Sequence, residues 1–148
     1  MDIRWAVMDR LCLFRRPMNE EEMLEIADEA GLGLLIQLFD PESPEEVATD
    51  WSEVAEEYEF DVWRVGAPDF GAPRLRPGEI ADIARRAKEV FEEDGAVGIH
   101  CGAGIGRTGT MALLLMAELI RQSGSCSETG EQIAMIENYL REDWTGEY

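Results

Sequence analysis

One short run concentrates the chain's reactive chemistry: Val97-Gly98-Ile99-His100-Cys101-Gly102-Ala103-Gly104-Ile105-Gly106-Arg107-Thr108-Gly109. An apolar stretch leads into a thiol, a glycine-rich turn follows, and an arginine and a threonine open the next segment. Gly102, Gly104 and Gly106 let the turn curl so that successive backbone N–H groups point inward. The helix that follows adds its positive end, and together they make an anion cradle of the size of a phosphate. A thiol in that position, beside an arginine and a helix N-terminus, is stabilised as a thiolate and is a nucleophile near neutral pH. Arg107 stands where its planar fork can return to the same centre and hold two phosphoryl oxygens at once, which lysine cannot do. The spacing Cys-x5-Arg is the chemical signature, and the amides of Gly102, Ala103, Gly104, Ile105, Gly106 and Arg107 are the expected phosphate ligands.

Competing readings of the run are weaker. A nucleotide-binding P-loop would carry glycine in place of Cys101 and lysine in place of Arg107. Gly104, Gly106 and Gly109 do satisfy G-x-G-x-x-G, but only about 40 residues follow, too few for the rest of a dinucleotide-binding half. A buried structural cysteine would be the default for Cys101 alone; the arginine, threonine and glycines in register argue against it. Expulsion of an alkoxide or phenolate also needs an acid. The sole histidine, His100, is adjacent to the nucleophile on the expected strand and points away from it, so the acid should be a carboxyl group. Asp69 is the best candidate, because it sits after a strand in the one long Gly/Pro-rich loop, 66–77, outside any helical face. As a residue after proline it also suits an ordinary turn.

The elements that must position these groups follow from periodicity and capping. Ile3-Arg4-Trp5-Ala6-Val7 and Leu11-Cys12-Leu13-Phe14 read as two short strands around Asp9-Arg10. Asn19 caps a helix with Glu22 three residues on, an apolar stripe of Met23, Ile26, Ala27 and Ala30, and Gly31 as its stop. Residues 34–39 form a strand apolar on both faces. Ser43-Pro44-Glu45-Glu46 is a capping box, and Val47, Trp51, Val54, Ala55 and Tyr58 continue it at helical spacing as one helix. A strand over 60–65, the loop, a helix striped by Ile80, Ile83, Ala84, Ala87, Val90 and Phe91, a strand over 96–99 and a buried helix over 108–121 complete the order. A last helix is expected over about 131–141. Strands alternating with helices give an α/β fold: a central, largely parallel sheet of about four to five strands with helices on both faces.

With 148 residues and 45% hydrophobic content, the chain suits a single domain over 1–148. No apolar run approaches the roughly 20 residues that cross a bilayer, and the first residues do not open a signal peptide, so a cytoplasmic location is expected. The formal charge of −19 disfavours nucleic acid and anionic membranes as partners. Lys88 is the only lysine, and the acids sit mostly on helices. Such a surface suits a high-salt cytoplasm, and equally a merely acidic solvated surface. Cys12, Cys101 and Cys126 form no close-spaced pair, which fits a reducing compartment. An accessible thiolate at Cys101 could take a protective disulfide under oxidation. No His/Cys ligand cluster is present, and the chemistry calls for no metal or cofactor.

The run His-Cys-x5-Arg-Thr-Gly resembles the signature of the protein tyrosine phosphatase superfamily. Residues 96–111, together with Pro68-Asp69-Phe70-Gly71-Ala72-Pro73, resemble the small VH1-like dual-specificity phosphatases and their compact archaeal relatives. The resemblance is tight over about 62–116 and loose elsewhere. It implies a cysteinyl-phosphate intermediate, Asp69 as proton donor, Thr108 as a hydroxyl that eases departure of the Cys101 sulfur, and His100 as a residue that orders the cradle through backbone contacts. Gln132 matches a family glutamine that positions the attacking water, although Thr129-Gly130-Glu131-Gln132 is also a capping box. The connection before the last helix is shorter than in most relatives. Gly102, Ala103 and Ile105 stand where the superfamily's phosphoinositide phosphatases tend to place lysines. Phosphotyrosine, with phosphoserine or phosphothreonine, on a protein or peptide is therefore the expected substrate. A small-molecule phosphoester, or an inactive phosphoprotein-binding module, are the alternatives.

Overall fold

A computed structural model describes residues 3–69, 71–102 and 106–123. Five strands form one sheet: β1 (Arg4–Val7), β2 (Leu11–Arg15), β3 (Leu32–Phe39), β4 (Asp61–Gly66) and β5 (Ala96–Cys101). Their order is β1-β2-β5-β3-β4, with β1 antiparallel to β2 and every other pair parallel. The helices are α1 (Glu20–Ala30), α2 (Pro44–Ala48), α3 (Ser52–Tyr58), α4 (Glu79–Glu92) and α5 (Gly106–Ser123). The expected largely parallel α/β sheet is found, with β5 at its centre. The helix expected over 131–141 lies outside the described residues.

Two apolar cores flank the sheet. On one face Leu11, Leu13, Leu34, Ile36, Leu38, Val97 and Ile99 pack against Ile83, Ala84 and Ala87 of α4 and Met111, Ala112 and Leu115 of α5. On the other, Cys12, Phe14, Leu32 and Leu35 meet Met23 and Ile26 of α1 and Val54 and Ala55 of α3. Period-two alternation divides the strand side chains between these cores, reset on β3 by an irregularity in register between Leu32 and Leu34. Helix α1 begins and ends as its sequence dictates: the Asn19 side chain accepts a hydrogen bond from the Glu22 amide, and Gly31 stops it at φ 70°.

The single helix expected over 44–58 is instead two. Sheet side chains take the carbonyls that would have continued α2: Arg64 on β4 donates to Val47 O at 3.0 Å and Thr49 O at 3.3 Å, and Gln37 on β3 also donates to Thr49 O. Thr49 is accordingly extended, at φ −79° and ψ 106°. Asp50 then accepts from the Ser52 amide at 3.0 Å, and α3 starts.

Candidate active site

Cys101 ends β5, the central strand, and is 1% exposed. This is the carboxyl edge of a parallel sheet, where open α/β folds bind their ligands. Its side chain belongs to the core formed with α4 and α5. Helix α5 begins at Gly106, five residues after the last residue of β5, and carries Arg107 and Thr108 in its first turn. Ala103, Gly104, Ile105, Phe70, Gln132 and Cys126 lie outside the described residues.

Arg107, in the first turn of α5, is buried and turns inward. Its Nη1 donates to Glu46 Oε1 at 2.8 Å and its Nη2 to Glu46 Oε2 at 3.2 Å, a bidentate pair, while Nη1 also donates to Ala67 O at 3.0 Å. Nη2 stands 3.9 Å from Asp69 Oδ1. Two segments thus meet on one guanidinium: α2, and the loop after β4, which contributes the Ala67 carbonyl and the Asp69 carboxylate. The hydrogen bonds with Glu46 hold the Arg107 pKa above its ordinary value; burial opposes this, and the nearby Cys101 and Glu46 charges add to it. Burial would raise the Glu46 carboxyl, but the bonds from Arg107 and from the Asp40 amide at 2.8 Å outweigh that and hold it below its ordinary range.

Gly102 has a steric reason to be glycine. A Cβ there would collide with Glu46 Oε2 and come within 2.9 Å of Arg107 Nη2, so the Glu46–Arg107 pair lies directly against the peptide that follows Cys101. Asp69 is more than half exposed. Its loop is pinned where it leaves the sheet by Ala67 N donating to Phe39 O at 2.7 Å and by Arg74 N donating to Gly66 O at 2.7 Å. Gly71 N donates to Pro68 O at 2.8 Å and closes a turn around Asp69. Thr108 is buried, and its hydroxyl has no hydrogen-bond partner among the described residues. Leaving such a group unpaired costs about 1–3 kcal/mol.

His100 points to the opposite core from Cys101, as strand alternation requires, and its ring stacks near Phe14 with centroids 5.5 Å apart. The Trp51 indole N–H donates to His100 Nε2 at 3.1 Å, and His100 Nδ1 lies 3.2 Å from the Cys101 carbonyl oxygen. Burial, the largest influence, lowers its pKa from 6.5 to about 4.

The structure brings Cys101, Arg107 and Asp69 to one end of the sheet, with Thr108 in the same helical turn as Arg107. It separates Cys12 from them. Cys12 pairs with Gly98 in register, three residues from the end of β5, and belongs to the other core. At about 3.3 Å per residue along the strand, and facing away, it cannot bridge to Cys101. Burial pushes its thiol up to about 12, so it is inert. Two site residues escape sequence reasoning. Glu46 reads as the last member of a capping box, and Trp51 as one position of a helical stripe; only their long-range partners reveal their use.

Among curated proteins, the chain is 34% identical over 76 residues to receptor-type tyrosine-protein phosphatase S of Gallus gallus. It is equally similar to receptor-type tyrosine-protein phosphatase F of Homo sapiens. The stretch is 49% of this chain and only 5% and 4% of those receptors' lengths. Among solved structures, Tk-PTP in its active form superposes with a TM-score of 0.60 at 24% identity, covering 97% of this chain and 85% of that one. PTPMT1 gives 0.61 at 16% identity, covering 95% of each, and has also been crystallised with PI(5)P. These likenesses show the fold, that of the protein tyrosine phosphatases. The sequence profile of one phosphatase family matches residues 13–123, from β2 to the end of α5. With the profile spanning most of the chain and both flanks of the Cys101 turn, this chain belongs to the DSP-PTPase phosphatase family of polymorphic toxin systems.

Proposed function

We propose that the chain is a cysteine-dependent phosphomonoester hydrolase that removes phosphate from phosphotyrosine, and also from phosphoserine or phosphothreonine, in proteins. The observation that carries this is the convergence on Arg107: its fork is held by Glu46 and Ala67 beside the nucleophile's strand end, with Asp69 3.9 Å away. Two in-line displacements follow. The Cys101 thiolate attacks phosphorus while the Nε–Nη2 edge of Arg107 and the cradle amides, Gly102 to Arg107, bind the equatorial oxygens. Asp69 transfers its proton to the leaving oxygen as the P–O bond breaks. Ionised Asp69 then takes a proton from water, whose oxygen attacks the cysteinyl phosphate. The Thr108 hydroxyl, with no other partner among the described residues, hydrogen-bonds the departing sulfur. Gln132 is a further candidate for orienting that water.

The substrate assignment is supported by Gly102. Glu46 packs where a side chain would begin, leaving no room for a lysine that would favour a polyanionic lipid headgroup. The formal charge of −19 also repels anionic bilayers. The decisive experiment compares the protein with Cys101→Ser on an aryl phosphate, then on phosphopeptides differing only in the phosphorylated residue and on a soluble PI(5)P. Turnover abolished by the substitution, with phosphotyrosine peptide as the best substrate, is the expected result. Retained activity in Cys101→Ser would sink the mechanism, and preference for the inositide would sink the substrate assignment.

A further inference from the structure

The segment from Glu46 to Trp51 touches both flanks of the nucleophile: Glu46 holds Arg107 after it, and Trp51 reaches His100 before it. The second contact has chemical content, because a neutral imidazole carries one N–H and one lone pair. Indole is only a donor, so its bond at 3.1 Å requires the lone pair on Nε2 and places the ring proton on Nδ1. Nδ1–H then donates to the Cys101 carbonyl at 3.2 Å. With the other tautomer, two lone pairs would face each other there and the Cys101–Gly102 peptide would be pushed from its plane.

We propose that Trp51 is a positioning residue for the phosphatase reaction, fixing the tautomer of His100 so that the Cys101 carbonyl is held away from the cradle and the Gly102 amide is turned into it. The inference rests on the phosphatase reading. The polarised carbonyl strengthens the N–H of the same peptide as a donor, so the effect reaches the bound phosphate through one hydrogen-bonded chain. The contact is sealed: Trp51 is 6% exposed and His100 1%, with Phe14 closing the ring's other side. It is also anchored, because Gln37 and Arg64 fasten Thr49, two residues before Trp51, to the sheet.

His100 is the sole histidine, so labelling with 15N-histidine gives a spectrum of this one ring. Wild-type protein should show a single tautomer protonated at Nδ1. Trp51→Phe keeps an aromatic ring and loses the donor. It should show proton density on Nε2, a kcat on aryl phosphate lower by about fivefold to tenfold, and an inhibition constant for inorganic phosphate raised by a similar factor. Val54→Ala, which thins the same core without touching His100, should lower Tm and leave the tautomer and kcat as they were. The proposal is overturned if the wild-type ring is protonated at Nε2, a measurement needing no variant. It is likewise overturned if Trp51→Phe keeps the Nδ1 tautomer and full kcat, or if Val54→Ala moves both readouts as far. Failure of the phosphatase reading is separate: wild-type protein would then leave the aryl phosphate intact whatever the tautomer.

Discussion

On the proposed mechanism Arg107 divides its guanidinium between a fixed carboxylate and a transient phosphate, and must be held by the first without being satisfied by it. Glu46 takes Nη1 and Nη2 and so sets the rotation of the Arg107 fork. Glu46→Gln keeps the shape and removes the charge. It should lower kcat/KM roughly tenfold to thirtyfold, the size of one charge-assisted hydrogen bond, with phosphate inhibition weakened in parallel. Asp69→Asn should act differently: a loss of about 10²–10⁴ with a poor leaving group and a much smaller loss with a nitrophenolate, which needs little protonation. His100 gives a pH prediction. Its folded pKa, about 4, lies below the ordinary 6.5, so between these values the unfolded chain binds a proton that the folded chain does not. Stability from this residue is full above about pH 6.5, falls as pH drops, and stops falling near pH 4, a total of about 3 kcal/mol. Denaturant titrations of wild type and His100→Gln across that range should differ by this slope. The run from Cys101 to Arg107 could be read as a candidate site because its residues are close in sequence. Glu46 could not, because its partner lies 61 residues away and its local pattern already had an explanation.

At the scale of elements, helix ends and strands followed their local codes, as at Asn19, Gly31 and Pro44, whereas the break between α2 and α3 did not. Trp51 stands at helical spacing from Val47 and Val54, and the groups that break the helix, Gln37 and Arg64, come from strands. The break lets one short segment present Glu46 to Arg107 on one side of Cys101 and Trp51 to His100 on the other. Strand β5 is packed as tightly as its neighbours permit. A Cβ on Gly98 would approach Phe14 Cε1 to 2.8 Å and Leu32 Cδ2 to 2.9 Å. Gly98→Ala should therefore cost about 1–3 kcal/mol in thermal or denaturant unfolding, and by displacing Phe14 it should loosen the ring packed on His100.

For the whole molecule, the formal charge of −19 predicts a strong salt response. Screening of repulsion among the helix carboxylates should raise Tm steadily from low to molar salt, and calorimetry showing no rise would remove self-repulsion as a factor. No described helix is long and apolar enough to cross a membrane. The sheet's class and its two covered faces were legible from alternating apolar segments, but strand order was not, since β5 enters between β2 and β3, segments far from it in the chain. That placement makes β5 a partition. Cys101 points to the side facing α4 and α5, so on the proposed mechanism substrate would be handled there, while His100 and Trp51 would act from the side facing α1 and α3. On that reading, changes on the second side would alter turnover and phosphate affinity together without altering which phosphoester is preferred. Rate and selectivity can therefore drift independently, along opposite faces of one strand.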